Sequence, residues 1–202
     1  NRRSKKIIMF VSNREKQIKQ AQDSFRNHKA KFEQFEGISI LDWRNKDGSS
    51  NYYVRYVFDE QKGCLYIVGD LGSAVVRLTE KATLDNLSSY VNSIDYFLEK
   101  ILCSTDKYIY NVELARKELQ QRLIKSDEEY EDEKLKELQE LISDAIEHFD
   151  ELKGFNLTEN IEERLMEEDT DYFEWIFNVG KEVDMRVILW LVGLKMAQEQ
   201  IR

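Results

Sequence analysis

Six carboxylates crowd one short stretch of the chain: Asp127, Glu128, Glu129, Glu131, Asp132 and Glu133. Charge this dense can act in two ways. Acids at the start of a helix are stabilised by the partial positive charge of its N-terminus, which is a sufficient structural reason for several of them. They can also imitate nucleic-acid phosphates, entering a basic groove of a partner with fast, salt-sensitive association. A second acidic run, Glu167-Glu168-Asp169-Thr170-Asp171, offers hard oxygen ligands for calcium or magnesium. It lacks the glycine and the alternating spacing of a calcium-binding loop, so no metal is assigned to it. His28 and His148 lie far apart, each beside an apolar helix stripe, and Cys64 falls in a strand without a histidine nearby. A Cys–His nucleophile pair therefore has no local support. The sequence holds no GxSxG, HExxH, P-loop or GxGxxG pattern. Gly69-Asp70-Leu71-Gly72 could place a carboxylate for chemistry, but a tight turn between strands needs the same residues for backbone reasons. The balance leans away from an enzyme, with no catalytic residue, metal or cofactor expected. The enzymatic alternative is a metal-dependent hydrolase or nuclease using dispersed carboxylates such as Asp42, Asp70 and the acidic block.

The elements that must position these residues follow from the hydrophobic period. Ser12 can cap a helix to about Phe35, with Ile18, Ala21, Phe25, Phe32 and Phe35 as its apolar stripe and Gly37 as its stop. Strands are expected at 38–44, 52–58, 64–68 and 74–78, rich in β-branched and aromatic residues. Their short connections require an antiparallel meander. In the second strand Tyr52, Val54, Tyr56 and Phe58 share the core face. Tyr53 and Arg55 fall on the other face, to be covered by a helix or offered to a partner. From Thr83 the pattern turns helical, with helices at about 84–91, 93–102, 111–125 (capped by Asn111), 127–150, 158–168, 170–179 and 182–200. Leu135, Leu138, Ile142, Ala145 and Phe149 stripe the longest of these. The last, with Val183, Val187, Ile188, Trp190, Leu191 and Leu194, is expected to be the most buried.

The expected fold is thus α+β: a four-stranded antiparallel meander packed with helices, followed by an acidic all-helical C-terminal half. The expected division is an α+β domain over 1–108 and a helical region over 109–202, packed apart or as one unit. Composition is compatible with this. At 202 residues, 42% hydrophobic and without proline, the chain can bury a core and build long helices. Its two cysteines, Cys64 and Cys103, form no disulfide framework, and a reducing compartment, the cytoplasm, is expected. The apolar run Ile7–Val11 is too short for a signal-peptide core, and no segment is apolar enough to span a membrane. Charge is uneven. Residues 1–36 hold ten Lys/Arg against four Asp/Glu, whereas 126–171 hold nineteen Asp/Glu against four Lys/Arg. With a net charge of −9, direct nucleic-acid binding is not expected. The basic start should pair with acidic helices of this chain, of a second copy or of a partner.

The run Ile40-Leu41-Asp42-Trp43-Arg44, then Gly48-Ser49-Ser50 with Tyr52 to Tyr56, and Leu65-Tyr66-Ile67-Val68-Gly69-Asp70-Leu71-Gly72 carry a resemblance. The stretch from about 12 to 110 resembles small proteins carried by phages and mobile elements of Firmicutes, among them a type II-A anti-CRISPR protein, an inhibitor of Cas9. The resemblance implies a non-catalytic counter-defence protein in the bacterial host cell. Its partner would be a host protein or ribonucleoprotein, guide-loaded Cas9 being the one implied, blocked by surface occlusion or conformational trapping. It supplies no site residues. From the residues themselves, Asp127, Glu128, Glu129, Glu131, Asp132 and Glu133 are expected to meet a basic surface, with Tyr53 and Arg55 as a second contact, since arginine and aromatic side chains serve best as interface anchors. A homo-oligomeric phage structural protein is the third reading.

Overall fold

The structure, a computed structural model, describes residues 2–125 and 129–202, with side chains from Arg14 onward. It is 48% helical and 25% strand, an α+β protein. Two compact units divide the chain: Asn1–Lys107 with Asp184–Arg202, and Tyr108–Val183. The second is thus an insertion between residues of the first, and the final helix belongs to the sheet unit rather than to the acidic region.

The first unit starts with α1 (Arg2–Phe25) and continues into a six-stranded antiparallel sheet, not a four-stranded one. Its strands run in spatial order as they run in sequence: β1 (His28–Phe35), β2 (Ile38–Asn45), β3 (Val54–Asp59), β4 (Cys64–Gly69), β5 (Ala74–Arg77) and β6 (Ile101–Ser104). The four strands expected from the period are β2 to β5. Of the two added strands, β1 comes from a segment expected to be helical, and β6 from the end of the helix expected at 93–102 and the residues just after it. His28–Phe35 continues the 3–4 spacing of the helix before it, but it also alternates. His28, Ala30 and Phe32 point to the core side while Lys29, Lys31 and Glu33 are exposed. A two-residue turn, Glu36-Gly37 with Gly37 at φ +77°, sets Phe35 opposite Ile38 and gives β2 a full-length partner. Eight residues of backbone pairing outweigh an ambiguous side-chain period.

One face of the sheet is the core. Leu41, Trp43, Val54, Tyr56, Phe58, Leu65, Ile67 and Val76 are fully buried there. Between β5 and β6 the chain forms α2 (Leu84–Ser88), capped by Thr83, a 3-10 turn over Ser89–Asn92, and α3 (Ile94–Lys100). After the second unit comes α8 (Met185–Ile201), whose cap Asp184 accepts from the Arg186 amide. Tyr56 donates its hydroxyl to the Trp190 carbonyl at 2.8 Å, which fixes α8 on this face. Gly193 permits the approach: a Cβ there would lie 2.7 Å from the Tyr56 hydroxyl. Gln200, in the last turn of α8, caps the outer edge of β1. Its Oε1 accepts from the Ala30 amide at 3.1 Å and its Nε2 donates to the His28 carbonyl at 3.0 Å.

The second unit contains β7 (Tyr108–Tyr110), α4 (Val112–Leu123), α5 (Asp132–Glu147), β8 (Phe149–Asp150), β9 (Gly154–Phe155), α6 (Glu159–Glu168), α7 (Tyr172–Trp175), a 3-10 turn over Ile176–Asn178, and β10 (Lys181–Val183). It is therefore not all-helical: β7 pairs with β10 and β8 with β9. The expected helix over 127–150 is confined to Asp132–Glu147 among the described residues, and Phe149 leaves its stripe for a strand. Ala115, Leu119, Leu141, Ile142, Ala145, Leu165, Trp175 and Ile176 meet in this unit's own core. The division also separates charge. The sheet unit holds twenty-one Lys/Arg against sixteen Asp/Glu, and the inserted unit nine against twenty-three, so net charges of +5 and −14 compose the −9 of the chain.

Candidate functional site

Strand alternation puts a second set of side chains on the face of the sheet away from α8. The register aligns them in rows: Lys31 opposite Asp42 opposite Arg55 opposite Val68, and beside these Glu33, Ile40, Val57, Tyr66, Val75 and Cys103. None of the ten is fully buried. Tyr66 is 39% and Val68 46% exposed, which is unusual for large apolar side chains in a central strand.

At the centre of the first row Arg55 clamps Asp42. Its Nε donates to Asp42 Oδ1 and its Nη2 to Oδ2, both at 2.8 Å, a planar two-point pairing that holds the guanidinium in one orientation. The Tyr53 hydroxyl donates to the same Oδ1 at 2.6 Å, and the Arg44 guanidinium lies 4.6 Å over the Tyr53 ring. Hydrogen bonding from Arg55 holds the Asp42 carboxyl below the ordinary carboxylate range, with burial opposing and Tyr53 assisting. Burial, then the bond to Asp42, raises the Tyr53 phenol. The hydrogen bond to Asp42 likewise raises Arg55. At neutral pH the cluster is therefore Asp42 ionised, Arg55 charged and Tyr53 neutral, a fixed polar island beside an apolar strip. Such a surface can recognise a partner's carboxylates and apolar side chains without having to order itself first.

The loop that delivers Tyr53 is itself locked. Tyr52 takes φ +56°, the one left-handed non-glycine among the described residues, and its amide donates to Asp70 Oδ2 at 2.9 Å. Tyr52 thus leaves the core face on which it was expected and stands 42% exposed. Gly69 closes the loop from the other side. It has φ +149°, and a Cβ there would fall 2.2 Å from the Tyr53 carbonyl, so only glycine fits.

Of the expected contact residues, the structure brings Tyr53 and Arg55 together on this face. The acidic set lies in the other unit. Glu131 precedes α5 in the cap position, Asp132 and Glu133 open its first turn, and these three with Glu129 are exposed. Asp127 and Glu128 lie outside the described residues. Asp42 and Asp70, the dispersed carboxylates of the enzymatic alternative, are engaged with Arg55 and with the Tyr52 amide. In the second acidic run Glu168 pairs with Lys134, and Asp169 accepts from the Trp175 indole and the Asp171 amide. Among the described residues no group of three or more His, Cys, Asp or Glu could hold a metal ion, and no helix is long and apolar enough to cross a membrane. Sequence reasoning missed Asp42, Tyr66 and Val68 as members of the site. The β3–β4 connection is short enough to suggest the Arg55–Val68 pairing, but Asp42 meets Arg55 across a connection of eight residues that sets no register.

No family model matches the chain, and neither a curated protein nor a solved structure does.

Proposed function

We propose that this chain is a non-catalytic binding protein that inhibits a host protein or ribonucleoprotein in the cytoplasm of a bacterial cell. What carries the reading is the half-exposed sheet face, where Asp42 holds both Arg55 and Tyr53 next to Ile40, Val57, Tyr66 and Val68. Arginine and tyrosine fixed before binding, bordering apolar surface, are the side chains that most often dominate interface energy. The resemblance of residues 12–110 to phage-borne counter-defence proteins selects guide-loaded Cas9 as the partner to test first. The carboxylates at the start of α5 would add attraction toward a basic partner surface, an effect that weakens with salt.

The test is direct binding of the purified chain to immobilised guide-loaded Cas9, with a DNA-cleavage assay run in parallel. Stoichiometric binding that slows cleavage, and that Arg55→Glu with Tyr66→Ala weakens at least about tenfold, is the expected result. Absence of binding even at low salt would remove Cas9 as the partner. Binding that survives the two substitutions unchanged would remove the sheet face as the interface.

A further inference from the structure

Residues 167–178 carry Glu167, Glu168, Asp169, Asp171 and Glu174 and neither lysine nor arginine. Here α7 and the 3-10 turn after it direct Tyr172, Trp175, Ile176 and Val179 into the core of the inserted unit. They leave Phe173 54% and Phe177 60% exposed. Phe173 lies on α7 and Phe177 four residues on, in the 3-10 turn that follows it, and both stay outside this core. The mount is rigid. The Asp169 carbonyl accepts the Tyr172 amide at 3.0 Å, and its carboxylate takes the Asp171 amide at 3.0 Å and the Trp175 indole at 2.9 Å. The Arg122 guanidinium lies 4.6 Å over the Trp175 ring. Asp171 and Glu174, exposed beside the phenylalanines, make no ion pair among the described residues.

We infer that Phe173 and Phe177 form a docking face for a lysine- or arginine-rich amphipathic helix of a partner protein. Two half-exposed rings on a fixed mount gain from being covered and lose little freedom in doing so. The carboxylates decide what can cover them. A neutral apolar partner would strip water from Asp171 and Glu174 without replacing its hydrogen bonds. A second copy meeting it through the same face would bring its own −14 unit there and be repelled. A basic amphipathic helix covers the rings with its apolar side and meets the acids with its charged side. This face is separate from the sheet face assigned above and stands or falls independently of it.

The experiment titrates the full chain into a fluorescently labelled model peptide of about eighteen lysines and leucines, long enough to be helical when bound, with the leucines on one side. The comparison peptide has the same composition, shuffled so that no apolar side forms. Anisotropy should report binding of the first peptide, at least about tenfold weaker binding of the second, and at least about tenfold weakening by Phe173→Ser with Phe177→Ser. Raising salt from about 0.05 M to about 0.3 M should weaken binding further, and less steeply for Asp171→Asn with Glu174→Gln. That second pair leaves the rings in place and keeps the test informative if the serine variant loses its circular dichroism. Equal binding of both peptides, or full binding by the folded serine variant, would overturn the inference, as would a salt dependence untouched by the amide pair.

Discussion

Replacing Gly193 by alanine offers a sharp test of how α8 sits on the sheet. In an isolated helix the change is favourable by about 1 kcal/mol, because glycine pays more backbone entropy than alanine. Here the added Cβ would stand 2.7 Å from the Tyr56 hydroxyl, 3.2 Å from Trp43 Cδ1 and 3.4 Å from Phe25 Cε2. The hydroxyl cannot swing away, since Tyr56 is fully buried and bonded to the Trp190 carbonyl. Overpacking of this kind costs about 1–3 kcal/mol, so Gly193→Ala should be destabilising by up to about 2 kcal/mol net. Tyr56→Phe alone should cost about 1 kcal/mol for the lost hydrogen bond. It also deletes the atom that the new methyl meets. In the Phe background Gly193→Ala should therefore recover much of its helix preference, and the two changes should couple by roughly 1–2 kcal/mol. The assay is urea unfolding of the four proteins, all carrying Trp175→Phe so that tryptophan fluorescence reports only Trp43 and Trp190 of the sheet unit. Additivity within about 0.5 kcal/mol would refute the packing argument. So would a Gly193→Ala protein more stable than its parent.

Other outcomes follow from the same geometry. Asp42 should titrate below the ordinary carboxylate range by NMR, and Arg55→Ala should move it upward. Because its folded pKa is depressed, the stability it contributes is present above its unfolded pKa of about 4 and lost as pH falls through the folded value; Arg55→Ala should flatten that acid limb. His28 is 1% exposed against Phe25 and Trp43, neither ring nitrogen has a well-formed hydrogen bond, and burial lowers its pKa although the Asn51 and Tyr52 backbone and Asp47 oppose the shift. The unfolded chain then binds the proton more readily, so stability should fall as pH drops below about 6.5, and His28→Leu should remove that dependence in pH-resolved urea unfolding. Gln200→Ala should expose the edge of β1 at His28 and Ala30, costing about 1 kcal/mol and raising concentration-dependent association seen by light scattering; an unchanged scattering profile would show that the edge needs no such cover.

Much of this protein was legible before its structure. Strands β2 to β5 announce themselves by alternation and by the glycines of their turns, and α4 by the capping residue Asn111, whose side chain accepts from the Leu114 amide. The apolar length of α8 foretold its burial. In each case a local signal of a few residues sufficed, because hydrogen bonds, caps and side-chain period act over that distance. Tyr53 and Arg55 could be placed on the face away from the core for the same reason.

What lay beyond reach depended on partners distant in the chain. His28–Phe35 could satisfy a helical or a strand period, and only pairing with β2 decides between them. Ile101–Ser104 becomes a strand because β5 offers it an edge. Arg55 has a fixed guanidinium only because the register sets Asp42 opposite, and α8 joins the sheet unit only because Tyr56 and Gly193 admit it there. The sequence by itself determined the mixed class, most of the strands and the unequal charge. Tertiary structure decided that the charge divides into a +5 and a −14 unit, and that two phenylalanines stay outside the second. Hydrophobic burial is not directional, so an apolar residue declares that it can be buried, and only the assembled chain determines whether anything is there to bury it.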